Sequence, residues 1–351
     1  MSRKMKTKAE LMKQIPELHL TDTNDFCLSE DVIGRYEVID FHTHVLQSVG
    51  GYIPRLLKRK RRGGACLFDL SGYPGRMENF DFGKVGYRVW PETLLSVSGL
   101  RDILAHAGPR AIAAIRSATP SRLLKDMASQ HIGKSVILPI NAKDHNCALD
   151  LLHAVNSEKA FVPFASVHPL EKDIERKIAM YVSLGIKGFK INPHVMKVAV
   201  DDPAMIDAVG RMAETGLPVV SCSGLQLPGS VRGVPAGIAR QLETQNIERF
   251  GRLLSQVPGV KLVLAHGGLE QNALLIELMK KYPHTYTDIS TQPARNIRRM
   301  VDELGSERLL FGSDYPYFNQ CFPLLSVLKA TVDENDRTRI LSLNAKSLLG
   351  I

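Results

Sequence analysis

Residues 39–45 read IDFHTHV and close the apolar run YEVIDF at residues 36–41. His42 and His44 stand two residues apart at the end of a strand-like stretch, and a period of two sends both imidazoles to the same side. Neutral imidazole is a good ligand for zinc, iron, manganese or nickel. Two histidines at this spacing arise often by chance, so the rest of the chain decides what the pair means. Seven further runs rich in Val, Ile and Phe follow it: KSVILPI (134–140), AFVPFASV (160–167), GIKGFKIN (185–192), LPVVSC (217–222), VKLVLA (260–265), HTYTDI (284–289) and RLLFG (308–312). Segments of helical period lie between them, such as EKDIERKIAMYVSLG, PAMIDAVGRMAETG and EQNALLIELMKKYP, each ending at a glycine or a proline as helices should. Buried strands alternating with helices mean βα units and a parallel sheet, and eight such units predict closure into an α/β fold of the (β/α)8, or TIM-barrel, kind. The first strand then ends on the face where barrel active sites lie.

The other strand ends supply partners for the pair. The sixth run ends in LAHGG and places His266 at the mouth; the eighth ends in FGSDYP and places Asp314 there; the fourth ends near Lys190 in KGFKINPH. Asp314 is suited both to ligating a cation and to accepting a proton from water. His168 and His194, each beside a proline near the ends of the third and fourth runs, either line the pocket or cap a loop, and His194 is a candidate substrate contact. Two regions depart from the rhythm. Residues 1–35 precede the first strand and read as an arm with a short helix. Residues 36–351 read as one barrel domain, in which 45–120 are too long for a single helix and rich in Gly, Lys and Arg. An insertion after a barrel strand lies on the catalytic face, so 45–120 read as either a substrate lid or a surface loop.

The chain has 351 residues and a formal charge of +9. Part of the excess sits in two runs, Arg3–Lys13 and Arg55–Arg62 (RLLKRKRR), with no aromatic interleaving and no nucleic-acid-binding module around them. These read as a solvated arm and loop, and Arg55–Arg62 could also draw an anionic substrate to the site. Neither nucleic acid nor membrane is expected as a partner. The N-terminus is basic but lacks an apolar segment, no apolar run reaches transmembrane length, and five cysteines without a CxxC argue for a reducing compartment. A cytoplasmic protein is expected.

The ordered set IDFHTH, FASVHP, GIKGFKINPH, LPVV, VLAHGG, TYTDIS, LLFGSDYP and the closing ILSLNAKSLLG resembles the amidohydrolase superfamily. The similarity is to the amidohydrolase-related group that includes aminocarboxymuconate-semialdehyde decarboxylase-like enzymes and related aromatic-acid decarboxylases. It runs from about residue 36 to the C-terminus. The resemblance implies a divalent metal, zinc first, with His42, His44 and Asp314 as ligands, Asp314 also as general acid/base, and His266 as the group that polarises substrate or assists proton transfer. Lys190 occupies the strand 4 position, where some binuclear relatives carry a carbamate that bridges two metals; as an unmodified amine it could instead bind a substrate carboxylate. At the end of the fifth strand, where the family carries a metal-binding histidine, this chain has Cys222. Three readings stand open: Cys222 is a thiolate ligand, the metal is held by His42, His44 and Asp314 alone, or the metal has been lost. The first expectation for the reaction is hydrolysis of a small, acidic molecule by a metal-activated water. The alternative is non-oxidative decarboxylation on the same site, and a third reading is a catalytically silent binding protein. A homodimer is common in the group.

Overall fold

The computed structural model describes residues 9, 12, 13, 15–22, 24–49, 117–141, 147–224 and 243–351. Most of the 45–120 insertion, including Arg55–Arg62, lies outside them, as does most of the Arg3–Lys13 run. Eight parallel strands carry the site: β1 (Ile39–Thr43), β2 (Lys134–Ile137), β3 (Phe161–Pro163), β4 (Phe189–Ile191), β5 (Val219–Cys222), β6 (Leu262–Ala265), β7 (Tyr286–Asp288) and β8 (Leu309–Leu310). They pair in chain order within two sheets, β1-β2-β3 and β4-β5-β6-β7-β8. Backbone hydrogen bonds join the sheets at both seams. At one, Lys190 N donates to Ala165 O at 2.7 Å; at the other, Phe41 N donates to Phe311 O at 2.8 Å and His44 N to Tyr315 O at 2.7 Å. The chain is a TIM barrel.

Two apolar layers follow from strand alternation. Ile39, Phe41, Val136, Leu138, Val162, Phe164, Val220, Val263 and Leu310 fill the barrel interior, joined by Leu348 and Leu349 of the C-terminal helix. Phe41 and Phe164 meet edge to face at 6.0 Å. Gly188 on the approach to β4 makes this possible, since a Cβ there would lie 2.2 Å from the Phe164 ring. The residues between, such as Phe189, Ile191, Val219, Leu262 and Leu264, face outward into a second layer with Phe250, Leu253, Leu275, Ile276 and Met300 of the surrounding helices. Those helices start as their sequences direct: Pro203–Ala213, for example, has Asp202 accepting from Ala204 N and a proline in its first turn.

The described part of the leading segment is more than a helix. Leu18–Leu20 pairs antiparallel with Phe26–Leu28, and the helical turn Glu30–Ile33 follows. Strands of three residues carry no readable period, so this ribbon was invisible in the sequence pattern. Phe26 packs on Phe322 at 5.7 Å, and its carbonyl accepts from Gln130 Nε2 and Asn319 Nδ2. Among the described residues no helix is long and apolar enough to cross a membrane, and Cys27, Cys147, Cys222 and Cys321 are free thiols.

Candidate metal centre

The site begins with an irregularity in β1. Ile39 and Phe41 point into the barrel, so strict alternation would send His42 outward with Asp40. Between Asp40 and Thr43, β1 carries one residue more than its partner, the register running Asp40 to Ser135 and then Thr43 to Ile137. A bulge of this kind re-aims the next side chain, and His42 turns toward the mouth. Gly312, just past β8, leaves it room: a Cβ there would stand 2.9 Å from His42 Cβ.

Both imidazoles are oriented through Nδ1. His42 Nδ1 lies 2.9 Å from Asp288 Oδ2 and His44 Nδ1 2.7 Å from Leu138 O. An ionised carboxylate and a carbonyl can only accept, so each Nδ1 carries a proton, and in the neutral ring Nε2 is the lone pair. The two Nε2 atoms face Asp314 Oδ1, at 3.6 Å from His42 and 3.5 Å from His44. His42 Nε2 is buried and has no hydrogen-bond partner among the described residues. With both rings neutral, three electron-rich atoms converge. That arrangement is unfavourable alone and fits a divalent cation, with Asp288 as the carboxylate that fixes His42 from behind.

The electrostatics agree. Burial, with the Lys190 charge adding to it, pushes His42 down to about 3 despite the opposing pull of Asp288, so this imidazole is neutral. Burial alone would raise Asp314, but His44, His266 and His42 outweigh it and hold the carboxyl below its ordinary value. Asp288 is likewise held far below the usual carboxylate range, burial being overcome by His42, His266 and Ser290.

His266 follows β6 and adopts the left-handed conformation (φ 63°), which turns its ring over His42 at 4.6 Å. Its backbone N donates to Asp288 Oδ1 at 3.1 Å. Ser290 Oγ gives its proton to the same oxygen, so it accepts from His266 Nδ1, 2.8 Å away. His266 Nε2 is left toward Cys222 Sγ at 3.7 Å. Burial would lower His266, yet Cys222, Asp314 and Asp288 together raise it to about 9. Cys222 itself, which burial would raise, is brought below its ordinary value by Lys190 and His266.

Ligand atoms gather in two groups among the described residues, His42–His44–Asp314 and His42–His266–Asp288, and neither includes Cys222. Lys190 is fully buried in the barrel, level with Val220 of β5. His194 sits half-buried in the helical turn Pro193–Met196 after β4. His168 has both ring nitrogens engaged, Nδ1 by Leu170 N at 3.2 Å and Nε2 on Met196 O at 3.1 Å, and braces two loops.

Two contributors escaped the sequence reading although both lie in quoted motifs. Asp288, in TYTDIS, is itself a strand-end acid and was there to be found by the logic applied to Asp314. Asp40, in IDFHTH, is fully buried and accepts from His42 N (3.2 Å), Ser313 N (2.9 Å), Ser313 Oγ (2.6 Å) and Gln320 Nε2 (2.8 Å). It thus ties the strand carrying His42 to the turn carrying Asp314, whose own backbone is left-handed (φ 61°) and donates to His42 O at 2.8 Å.

Comparison with known proteins decides the family. Residues 39–351 match the family model described as amidohydrolase. The chain belongs to the amidohydrolase family. No curated protein matches this amidohydrolase in sequence. Among solved structures it is similar to 5-carboxyvanillate decarboxylase from Novosphingobium aromaticivorans, complexed with manganese and 4-hydroxy-3-methoxy-5-nitrobenzoic acid (14% identity, 90% of this chain and 97% of that chain, TM-score 0.61). It is also similar to 2,6-dihydroxybenzoate decarboxylase from Rhizobium (15%, 90% and 99%, TM-score 0.58). A third is a probable 2-pyrone-4,6-dicarboxylic acid hydrolase from Acinetobacter baumannii with citric acid bound (12%, 90% and 100%, TM-score 0.55). At these identities the likeness is one of fold, and it supports the barrel.

Proposed function

We propose that this amidohydrolase is a metal-dependent enzyme acting on a small organic acid, and that its reaction is non-oxidative decarboxylation. The observation that carries the metal is the pair of Nε2 atoms facing Asp314 Oδ1 with both rings held from behind through Nδ1. His42, His44 and Asp314 would hold the cation; two imidazoles and a carboxylate suit zinc or manganese. When bound, the cation supplies Lewis acidity that polarises substrate oxygens. The remaining chemistry belongs to side chains. His266, with Nδ1 held by Ser290 and Nε2 left toward Cys222, is the group placed to deliver a proton. As the bond from carbon to the leaving carboxylate breaks, its electron pair stays on the carbon, which takes the proton from His266 Nε2. Ser290 and Asp288 hold the ring in place through Nδ1. The decarboxylases among the similar structures, named for aromatic acids, support this reading.

Hydrolysis is the second reading and rests on Asp314, whose carboxylate stays ionised at the mouth with 14% of its side chain exposed and can accept a proton from water. Assay of metal-loaded protein decides between them. Release of carbon dioxide from hydroxybenzoates, abolished in His266→Gln, is the expected result. Hydrolysis of esters or lactones with no carbon dioxide from any acid tested would overturn decarboxylation. Cys222 lies outside both gatherings of ligand atoms, so Cys222→Ser is expected to keep the metal content of the wild type, measured by plasma mass spectrometry. Loss of metal in that variant would make the thiolate a ligand.

A further inference from the structure

Lys190 has a side chain that the chemistry above does not use. It is 0% exposed, and among the described residues its Nζ makes no hydrogen bond to oxygen or nitrogen, with only the Cys222 sulfur, a weak acceptor, close enough to interact. A buried ammonium without a strong acceptor is costly, and proteins keep such a group where function requires it. The surrounding acids are already engaged. Asp288 accepts from His42, His266 and Ser290, and Asp314 faces His42 and His44. The groups that feel the Lys190 charge are Cys222 and His42. Lys190 is level with Val220, and Cys222 lies two residues further along the same inward face of β5, so Lys190 stands one layer deeper in the barrel than Cys222.

We infer that Lys190 is the anchor for a carboxylate of the substrate, received between Cys222 and His42 on the inner side of the His42–His44–Asp314 group. The inference rests on the proposed function only for the location of the pocket. The ammonium donates to a carboxylate oxygen, a charge-assisted bond in a water-poor setting. Such an anchor selects acids over their amides and esters. It also gives the buried cation the strong acceptor that the neighbouring Cys222 sulfur does not supply.

The test is binding and stability, read side by side in wild type and Lys190→Met. Calorimetric titration uses 2,6-dihydroxybenzoate and, as neutral control, 2,6-dihydroxybenzamide. The acid is expected to bind the wild type, to bind at least about 10-fold more weakly after the substitution, and to outcompete the amide only while Lys190 is present. The thermal midpoint of unliganded Lys190→Met is expected to rise, because methionine fills the site without a charge to desolvate; a structural lysine would make it fall. Equal binding of acid and amide, no binding of either, or unchanged acid binding in Lys190→Met overturns the inference. So does a wild-type metal content that depends on bicarbonate and is lost in Lys190→Met, which would place a lysine carbamate in the metal site. If the protein takes up no metal yet still binds the acid through Lys190, the proposed function fails and the anchor stands.

Discussion

His42→Ala is expected to abolish metal binding and to lower the stability of the metal-free protein by about 3 kcal/mol, the scale for stripping the partner from a buried charge. Two effects meet in this residue. Its Nε2 is one of the three converging lone pairs, and its Nδ1–H is the ring donor that satisfies the fully buried Asp288. Alanine leaves that carboxylate with only His266 N and Ser290 as donors. Urea unfolding of metal-free protein and metal analysis after reconstitution separate the two losses. Asp288→Asn is the informative companion. It keeps all three ligand side chains and removes only the carboxylate behind His42, so it should weaken metal affinity by about 10- to 100-fold without eliminating it. Full metal affinity in both variants would mean that the convergence at Asp314 Oδ1 is not a metal site.

The second large effect is expected at Asp40, which touches no ligand side chain. Asp40→Ala leaves buried donors from His42, Ser313 and Gln320 without their acceptor, at a cost of about 3–5 kcal/mol once partial rehydration is allowed for. Because these bonds hold the backbone of His42 and of the turn before Asp314, metal affinity should fall with stability, whereas a purely structural loss would spare the affinity of the folded fraction. The pH dependence gives an independent reading. Burial raises Asp40 to about 6 from an ordinary 3.8, opposed only in part by its Ser313, Gln320 and His42 donors. A carboxyl whose folded pKa is raised contributes stability that is fully present below the unfolded value and is lost as pH rises through the folded one. Between about pH 4 and 6 this residue therefore favours the folded state as acid is added, and Asp40→Asn should remove that part of the slope in metal-free protein. Denaturation midpoints across that window check the sign.

The barrel was legible because each strand is a short apolar run followed by a helix of clear period, and those patterns are local. The site was legible where chemistry sits at a strand end: His42, His44, His266 and Asp314 each follow such a run, and the structure brings them together. What stayed hidden depends on geometry across the barrel. His42 faces the same side as His44 because of the bulge between Asp40 and Thr43, not through the simple alternation of a regular strand. Asp40 and Asp288 act through partners 273 and 246 residues away in sequence, Ser313 and His42, which no local pattern announces. Cys222 sits beside His266 rather than within either gathering of ligand atoms, a relation set by how β5 and β6 pair. The N-terminal ribbon is too short to show a period.

The central claim is that His42, His44 and Asp314 hold one divalent cation. The most direct measurement is manganese binding to metal-stripped protein followed by electron paramagnetic resonance, with Asp314→Asn in parallel. The account predicts one tightly bound ion per chain in the wild type and weak or no binding in the variant. Wild-type protein that leaves all the manganese free, or a variant that binds it as well as the wild type, would contradict it.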